Sequence, residues 1–369
     1  MFNKYSIKNY NFKLVLLVLL ITGFGTVIIY SADHTYLKKQ LMGLVLCVTA
    51  MFVVSVIDYK WVAKYWPLLY AGNLIMLIAL RFIGKNVNGA TRWFAIGSFA
   101  TVQPSEFSKI LLIICASVFL TKYKEKLNTP KVLLTFAGFC AVPLFLIYKQ
   151  PDLSTTIDIT LILFCVLFTA GLSYKLIGIF TLIMIPIVGS FLWYIQRPDQ
   201  KLLDDYQLGR VLAFIYPQDY LQTTGYQQNN SVMAIGSGML KGKGLNTSSL
   251  ATVKESNLVS EQQTDFIFSV VGEELGFIGC IFLIAIIILI VLQCIKIARK
   301  ADDTTGMLIA TGVASVIAIQ TFINIGVATA VLPNTGLPLP FISYGLSSLL
   351  SSCIGIGLVL NVGLQKRKY

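Results

Sequence analysis

Ten mostly apolar stretches of about 17 to 29 residues, each able to cross the ~30 Å hydrocarbon core of a bilayer, decide what this chain can fold into. They run near 13–31, 38–57, 66–83, 104–121, 131–148, 155–171, 174–194, 266–294, 306–330 and 341–363. Hydrophobic residues make up 56% of the chain and charged residues only 12%, a balance that a soluble domain of 369 residues has no use for. Because a spanning segment must satisfy its own backbone polar groups, the expected fold class is an all-α polytopic membrane protein. Ten transmembrane helices form one membrane domain over 1–369, with a long outer loop, 195–265, between helices 7 and 8. The first run is too long for a cleaved signal peptide, and no small-residue cleavage site follows Tyr30-Ser31.

Cationic loops resist translocation, so Lys and Arg in the short connections set the orientation. Lys4, Lys8 and Lys13, then Lys60 and Lys64, then Lys122, Lys124, Lys126 and Lys131 fall on one side. Lys175, then Lys296, Arg299 and Lys300, then Lys366, Arg367 and Lys368 fall there too. Both termini are therefore expected in the cytoplasm, and 195–265 is extracytoplasmic. The formal charge of +12 is mostly this topology signal, with a secondary attraction to anionic lipid heads. No basic run interleaved with aromatics stands on a soluble segment, so nucleic acid is not an expected partner. The seven cysteines all fall within the apolar runs and read as small buried residues.

The polar residues of the outer side carry the chemistry. Thr264-Asp265-Phe266 places an acid at the mouth of the eighth run, where an ionised carboxylate is costly unless something uses it. On one continuous helix Asp265, Ser269 and Glu273 would share a face and line an interior groove. Glu106 and Lys109 lie one turn inside the fourth run and can pair at a spacing of three, either to orient the helix or to line a polar cavity. Arg81, Lys85 and Arg92 oppose the loop-charge trend and suggest an anion outside. Asp152 suits a helix cap or a second outward acid, and Asp158, deeper in the same run, has no evident partner.

Gly236-Ser-Gly238-Met-Leu-Lys-Gly242-Lys-Gly244 fails the spacing of a phosphate loop and leaves a flexible surface turn or a backbone anion nest. Short amphipathic helices on the membrane surface are expected in the outer loop, with 211–216 and 231–235 among their buried faces. The prolines and glycine of 332–345 break the last segment at membrane depth, which is tolerated beside protein or a watered cavity. His34 is the sole histidine, so histidine acid-base chemistry and His-rich metal sites have almost nothing to draw on.

Eight outer motifs, in this order, resemble the SEDS family (shape, elongation, division and sporulation), which includes RodA, FtsW and SpoVE. They are Gly89-Ala-Thr-Arg92-Trp93, Gln103-Pro-Ser-Glu106-Phe-Ser-Lys109, Gln150-Pro-Asp152-Leu, Gly225-Tyr226-Gln227, Ala234-Ile-Gly-Ser-Gly238, Thr264-Asp265-Phe-Ile-Phe, Glu273-Glu274-Leu-Gly276 and Thr335-Gly-Leu-Pro-Leu-Pro-Phe-Ile-Ser-Tyr-Gly345. The resemblance covers nearly the whole chain. Two departures stand out: Leu258-Val-Ser-Glu261-Gln-Gln263 where Leu-Pro-Glu and a His before the Thr are usual, and Leu346 where a second Gly is common.

The resemblance implies a peptidoglycan glycosyltransferase of the bacterial cytoplasmic membrane that polymerises lipid II at its outer face. It makes Asp265 the catalytic residue and has Glu106, Lys109, Arg92, Asp152 and Arg210 line or support the substrate cavity. It implies Mg²⁺ or Mn²⁺ as a cofactor and no organic cofactor, a class B penicillin-binding protein as transpeptidase partner, and other elongation or division complex proteins beside it. The chain's short tails favour an elongation enzyme like RodA, with division and sporulation roles open. A lipid II flippase and a non-catalytic scaffold for the transpeptidase are the rival readings.

Overall fold

The computed structural model of the protein describes residues 9–87, 90–96, 100–197, 200, 202–246 and 262–365. Every apolar run is a helix: α1 (Phe12–Ala32), α2 (Leu37–Val56), α4 (Trp66–Ile83), α5 (Pro104–Lys122), α6 (Pro130–Tyr148), α7 (Leu153–Thr169), α8 (Tyr174–Tyr194), α11 (Ile267–Arg299), α12 (Thr304–Ala328) and α13 (Leu346–Leu364). Short α3 (Tyr59–Lys64) follows α2, and α9 (Asp205–Ile215) and α10 (Tyr226–Ser237) fold within the long loop. Among the described residues nine helices are long and apolar enough to cross a membrane, and the tenth, α7, has 17 residues, about 26 Å at ~1.5 Å per residue.

The starts are encoded locally. Asn11 caps α1 through the Leu14 amide, Asp152 caps α7 through Thr155, and Asp303 caps α12 through Gly306. Pro67, Pro104 and Pro130 occupy first turns, where a missing N–H costs nothing. Helix α12 packs against α5, α7, α11 and α13, and forms the inside of the bundle with α5 and α13. Helix α8, apolar all round, buries none of its residues and touches α7 through the stacked rings of Phe164 and Phe180.

The lysine-rich connections gather at one end. Lys60, after α2, pairs with Asp302, after α11, at 2.5 Å, and Lys124, after α5, reaches Thr304. Asn11 and Gln365, near the two ends of the described chain, bond Gln293 and Asp58 at that same end. Lys4, Lys8, Lys366, Arg367 and Lys368 lie outside the described residues.

Three features differ from the sequence expectation. The segment before α5 carries a small antiparallel sheet, β1 (Lys85–Val87), β2 (Ala90–Ile96) and β3 (Ala100–Val102), in the order β1-β2-β3. Lys85 pairs with Trp93 and Phe94 with Val102, so the fold is helical with a strand cap rather than purely α. The tenth helix begins at Leu346, because Phe341 (φ +67) and Gly345 (φ +158) leave helical space before it. Finally, α11 is two helices: Gly276, at φ +64 and ψ −161, ends a buried half-helix (267–275) and starts a long one (277–299). Lipid-facing side chains begin after the break, at Phe277 and Ile278, and continue to Ile295, about 28 Å at ~1.5 Å per residue.

Candidate active site

Residues 262–266 form a turn leading into the buried half of α11, and the broken segment 331–345 grips it. The Tyr344 amide donates to Gln263 O (2.8 Å) and Ser343 Oγ to Thr264 O (2.6 Å). From α12, Asn324 Nδ2 donates to Asp265 O and to Leu337 O, both at 2.8 Å. Every carbonyl from Gln263 to Asp265 is therefore held, which fixes the acid's backbone while its side chain stays half-buried. Leu337, Leu339, Phe341, Ile342 and Ser343 are buried, so the non-helical backbone is sheltered by protein as its depth requires.

Arg210 of α9 reaches the same place. A Cβ built on Gly336 would stand 3.1 Å from Asp265 Oδ2 and 3.6 and 3.8 Å from the two Arg210 terminal nitrogens. Carboxylate and guanidinium thus converge on one point, at a residue whose φ of +71 suits glycine. The long loop is built to hold Arg210 there. Thr224 Oγ1 donates to Gly209 O, and Gln228 Nε2 donates to Val327 O and Leu332 O. Ser231 Oγ donates to Ala328 O, so α10 brings side-chain donors to the last-turn carbonyls of α12. Of 231–235, Ser231 and Ala234 are buried against protein while Val232 and Met233 are exposed; of 211–216, Ala213 is buried while Phe214 and Tyr216 are exposed.

A second polar cluster lies inside α5, α7, α12 and α13. Lys109 Nζ sits 2.8 Å from Glu106 Oε1 and 3.6 Å from Asp158 Oδ2, and all three side chains are almost fully buried. Ser351 Oγ donates to Glu106 Oε2 and Gln320 Nε2 to Asp158 Oδ2. Above it, Asp152 caps α7, accepts from Gln103 Nε2, and has Arg92 at 3.9 Å. The Arg92 guanidinium donates to the carbonyls of Gln150 and Pro151, so β2 clasps the turn that presents Asp152. The cap expected of Asp152 and the Glu106–Lys109 pair are both present, and Asp158 finds the partner that sequence did not supply. Arg81 is exposed.

Two expectations are corrected. The glycine loop is not an anion nest: the Lys243 and Gly244 amides donate to Glu273 O and Glu274 O, and the Phe277 and Ile278 amides donate to Met239 O and Leu240 O. It splices the backbone bonds that the Gly276 break leaves open. Nor do Asp265, Ser269 and Glu273 form one stripe on an open groove, because Asp265 precedes the helix. Ser269 Oγ donates back to Phe266 O, and Glu273 pairs with Lys243 at 2.7 Å. Ser31 Oγ donates to Glu274 at 2.6 Å. The departure at 258–261, most of the segment up to Gln263, lies outside the described residues, as does Gly89.

Sequence reasoning passed over Gln320 and Asn324, two polar residues four apart in an apolar run. That spacing puts both on one helix face and was the available signal.

A family model described as cell cycle protein, for FtsW, RodA and SpoVE, matches residues 11–368. The probable peptidoglycan glycosyltransferase FtsW of Geobacter metallireducens is 33% identical over 99% of this chain and 97% of its own length. The peptidoglycan glycosyltransferase MrdB of Escherichia coli K12 is 32% identical over 96% and 93%. Among solved structures, the rod shape determining protein RodA of Thermus thermophilus superposes with a TM-score of 0.69 at 26% identity, over 98% of each chain. A chain of a peptidoglycan synthase complex, described for its coordination of polymerization and crosslinking, gives a TM-score of 0.80 at 26% identity over 98% and 99%.

Proposed function

From the premise that this chain belongs to the FtsW, RodA and SpoVE family of cell cycle proteins, we propose that it polymerises lipid II into glycan strands with Asp265 as the base. It is a multi-pass membrane protein and a peptidoglycan glycosyltransferase. The observation that carries the mechanism is the convergence of the Asp265 carboxylate and the Arg210 guanidinium at Gly336.

The acceptor sugar's 4-hydroxyl attacks the anomeric carbon of the donor, and undecaprenyl pyrophosphate leaves. Asp265 accepts the hydroxyl proton as the new bond forms. An α-linked donor giving a β-1,4 product inverts, so one base suffices and no covalent enzyme intermediate is needed. Arg210 stands where the leaving pyrophosphate gains charge, already oriented by α9. Lys109, enclosed by Glu106 and Asp158, supports the cavity wall from within, and Arg92 does so through the 150–152 turn.

Among the described residues no three His, Cys, Asp or Glu side chains cluster as a metal cage. The donors near Asp265 are oxygens, and the buried Asn324 Oδ1 and Thr335 Oγ1 lack a hydrogen-bond partner. That set fits a hard cation held by one carboxylate, neutral oxygens and substrate phosphate, as Mg²⁺ or Mn²⁺ would be. When bound, such an ion would neutralise pyrophosphate charge. The bacterial relatives support a bacterial cytoplasmic membrane, the lysine-rich end supports cytoplasmic termini and an outward-facing site, and the likeness to a synthase complex supports a class B penicillin-binding protein as partner.

The test is polymerisation of labelled lipid II by the chain with that partner, with Mg²⁺, read on a gel. Wild type should make polymer and Asp265→Asn, equally folded and equally able to bind lipid II, should make none. Polymer from both would retire Asp265 as the base, and polymer from neither would turn the reading toward flipping or scaffolding.

A further inference from the structure

Asp158 takes no part in the chemistry above, yet it is fully buried at the centre of the bundle. One oxygen accepts from Gln320 at 3.0 Å and faces Lys109 at 3.6 Å, while Oδ1 has no hydrogen-bond partner. A buried carboxylate with an open oxygen stabilises poorly, and a whole buried ion cluster replaced by packed apolar side chains would commonly fold as well. Stability alone does not account for the residue.

Its partner points to another role. Gln320 and Asn324 are one turn apart on the same face of α12, about 6 Å along the axis at ~1.5 Å per residue. Asn324 spends its amide on Asp265 O and Leu337 O, the two strands of backbone that flank the acid. A continuous line therefore runs from Glu106 through Lys109, Asp158 and Gln320 into α12, and out through Asn324 to the main chain of Asp265. Between its ends, which the Asp303 cap and the α10 donors hold, the rest of α12's buried surface is Gly, Ala, Val, Ile and Leu with one Thr, and such packing is non-directional. A directional polar bond is the kind of contact that fixes register.

We infer that Asp158 and Gln320 are positioning residues for Asp265: the buried ion cluster sets the rotation of α12, and Asn324 transmits it to the acid's backbone. The inference rests on the assignment of Asp265 as the base. It gives a charge cluster remote from the sugar a defined task, holding the base within the narrow tolerance that proton abstraction demands.

The experiment uses the complex with its class B partner and measures kcat and KM for lipid II. Asn324→Leu keeps the size, removes the donor and adds no charge, and should lower kcat by about 100-fold with KM within about threefold. Gln320→Leu and Asp158→Leu should each lower kcat about tenfold, again with KM little changed. The double variant Gln320→Leu/Asn324→Leu should be no slower than Asn324→Leu alone, because both cut one line. Should Gln320→Leu fail to assemble, Gln320→Met, unbranched like Gln and with no donor, carries the same expectation. Losses in kcat that multiply, effects confined to KM, or wild-type kcat in Asn324→Leu each overturn the inference. Asp265→Asn in the same assay separates the two failures: a fast Asp265→Asn removes the base, whereas a dead Asp265→Asn beside a wild-type Asn324→Leu removes only the relay.

Discussion

A single methyl group at Gly336 would press on the Asp265 carboxylate from 3.1 Å, with Arg210 in ordinary contact at 3.6 Å, in a backbone conformation that L side chains rarely adopt. The left-handed φ costs about 1–2 kcal/mol for a residue with a Cβ, and the contact costs more only if the carboxylate cannot move. It can move, being the end of a side chain, and a shift of a few tenths of an ångström displaces the group the chemistry needs. Gly336→Ala is thus expected to fold with a slightly lowered Tm and to lose polymerisation by roughly tenfold, short of the ~100-fold cost of a 1 Å misplacement. Lipid II binding should persist. A variant with wild-type turnover would show that Asp265 and Arg210 do not work at this point.

At the scale of elements, the helices were legible in apolar length and the start of α7 in Asp152, while Asn11, Asp303 and the first-turn prolines, which act just as locally, entered only with the structure. The broken α11 was not, since Glu273 and Glu274 look like a continuing helix until Gly276 meets the loop at 239–244. Its exchange of bonds, Lys243 and Gly244 amides inward and Phe277 and Ile278 amides outward, depends on a partner 30 or more residues away. The three strands were missed for a related reason: β1 and β3 have three residues each, too few to show an alternation. Of the candidate site, Asp265 and the Glu106–Lys109 pair were legible as acids and bases misplaced in apolar sequence. Arg210 entered only by resemblance, and Asn324 not at all, because an Asn in an apolar helix announces no partner. The splice makes a paired prediction. Gly242→Ala would set a Cβ 2.1 Å from Glu274 O at φ +77, against backbone that cannot swing away, and should cost about 3 kcal/mol or more. Gly236→Ala, in α10 with open space around it, should be neutral or stabilise by up to about 1 kcal/mol. Thermal unfolding of the two purified variants decides; equal effects would mean that the loop does not brace the break.

Across the whole molecule, the two ends of the bundle are built differently, and the difference has a pH signature. The outer end spends its polar groups on a site, whereas the lysine-rich end spends them on closure. There the Tyr59 hydroxyl donates to Asp303 Oδ1 (2.9 Å), which also caps α12, while the Tyr59 amide donates to Asn361 of α13 and Lys60 pairs with Asp302. Burial, then the charge of Asp303 and its hydrogen bond, hold the Tyr59 phenol far above its ordinary 10.0. Burial pulls the Lys60 ammonium down, but the Asp302 hydrogen bond and the charges of Asp303 and Asp302 outweigh it and leave it above 10.5. Both groups therefore favour their protonated forms more in the folded chain than in the unfolded one. Their contribution to stability is complete below the ordinary values and drains away as pH rises past them. The Tm of the detergent-solubilised protein should be level from about pH 7 to 9 and fall above about pH 10. Tyr59→Phe, which loses one hydrogen bond worth about 1 kcal/mol, should lie below wild type on the level stretch. Its gap from wild type should then narrow above about pH 10.5, because wild type alone has a Tyr59 proton to lose. A gap that keeps its size to pH 11 would mean that this phenol is not coupled to folding, and that the closure at the lysine-rich end rests on its other bonds, among them Lys60–Asp302 and the α12 cap.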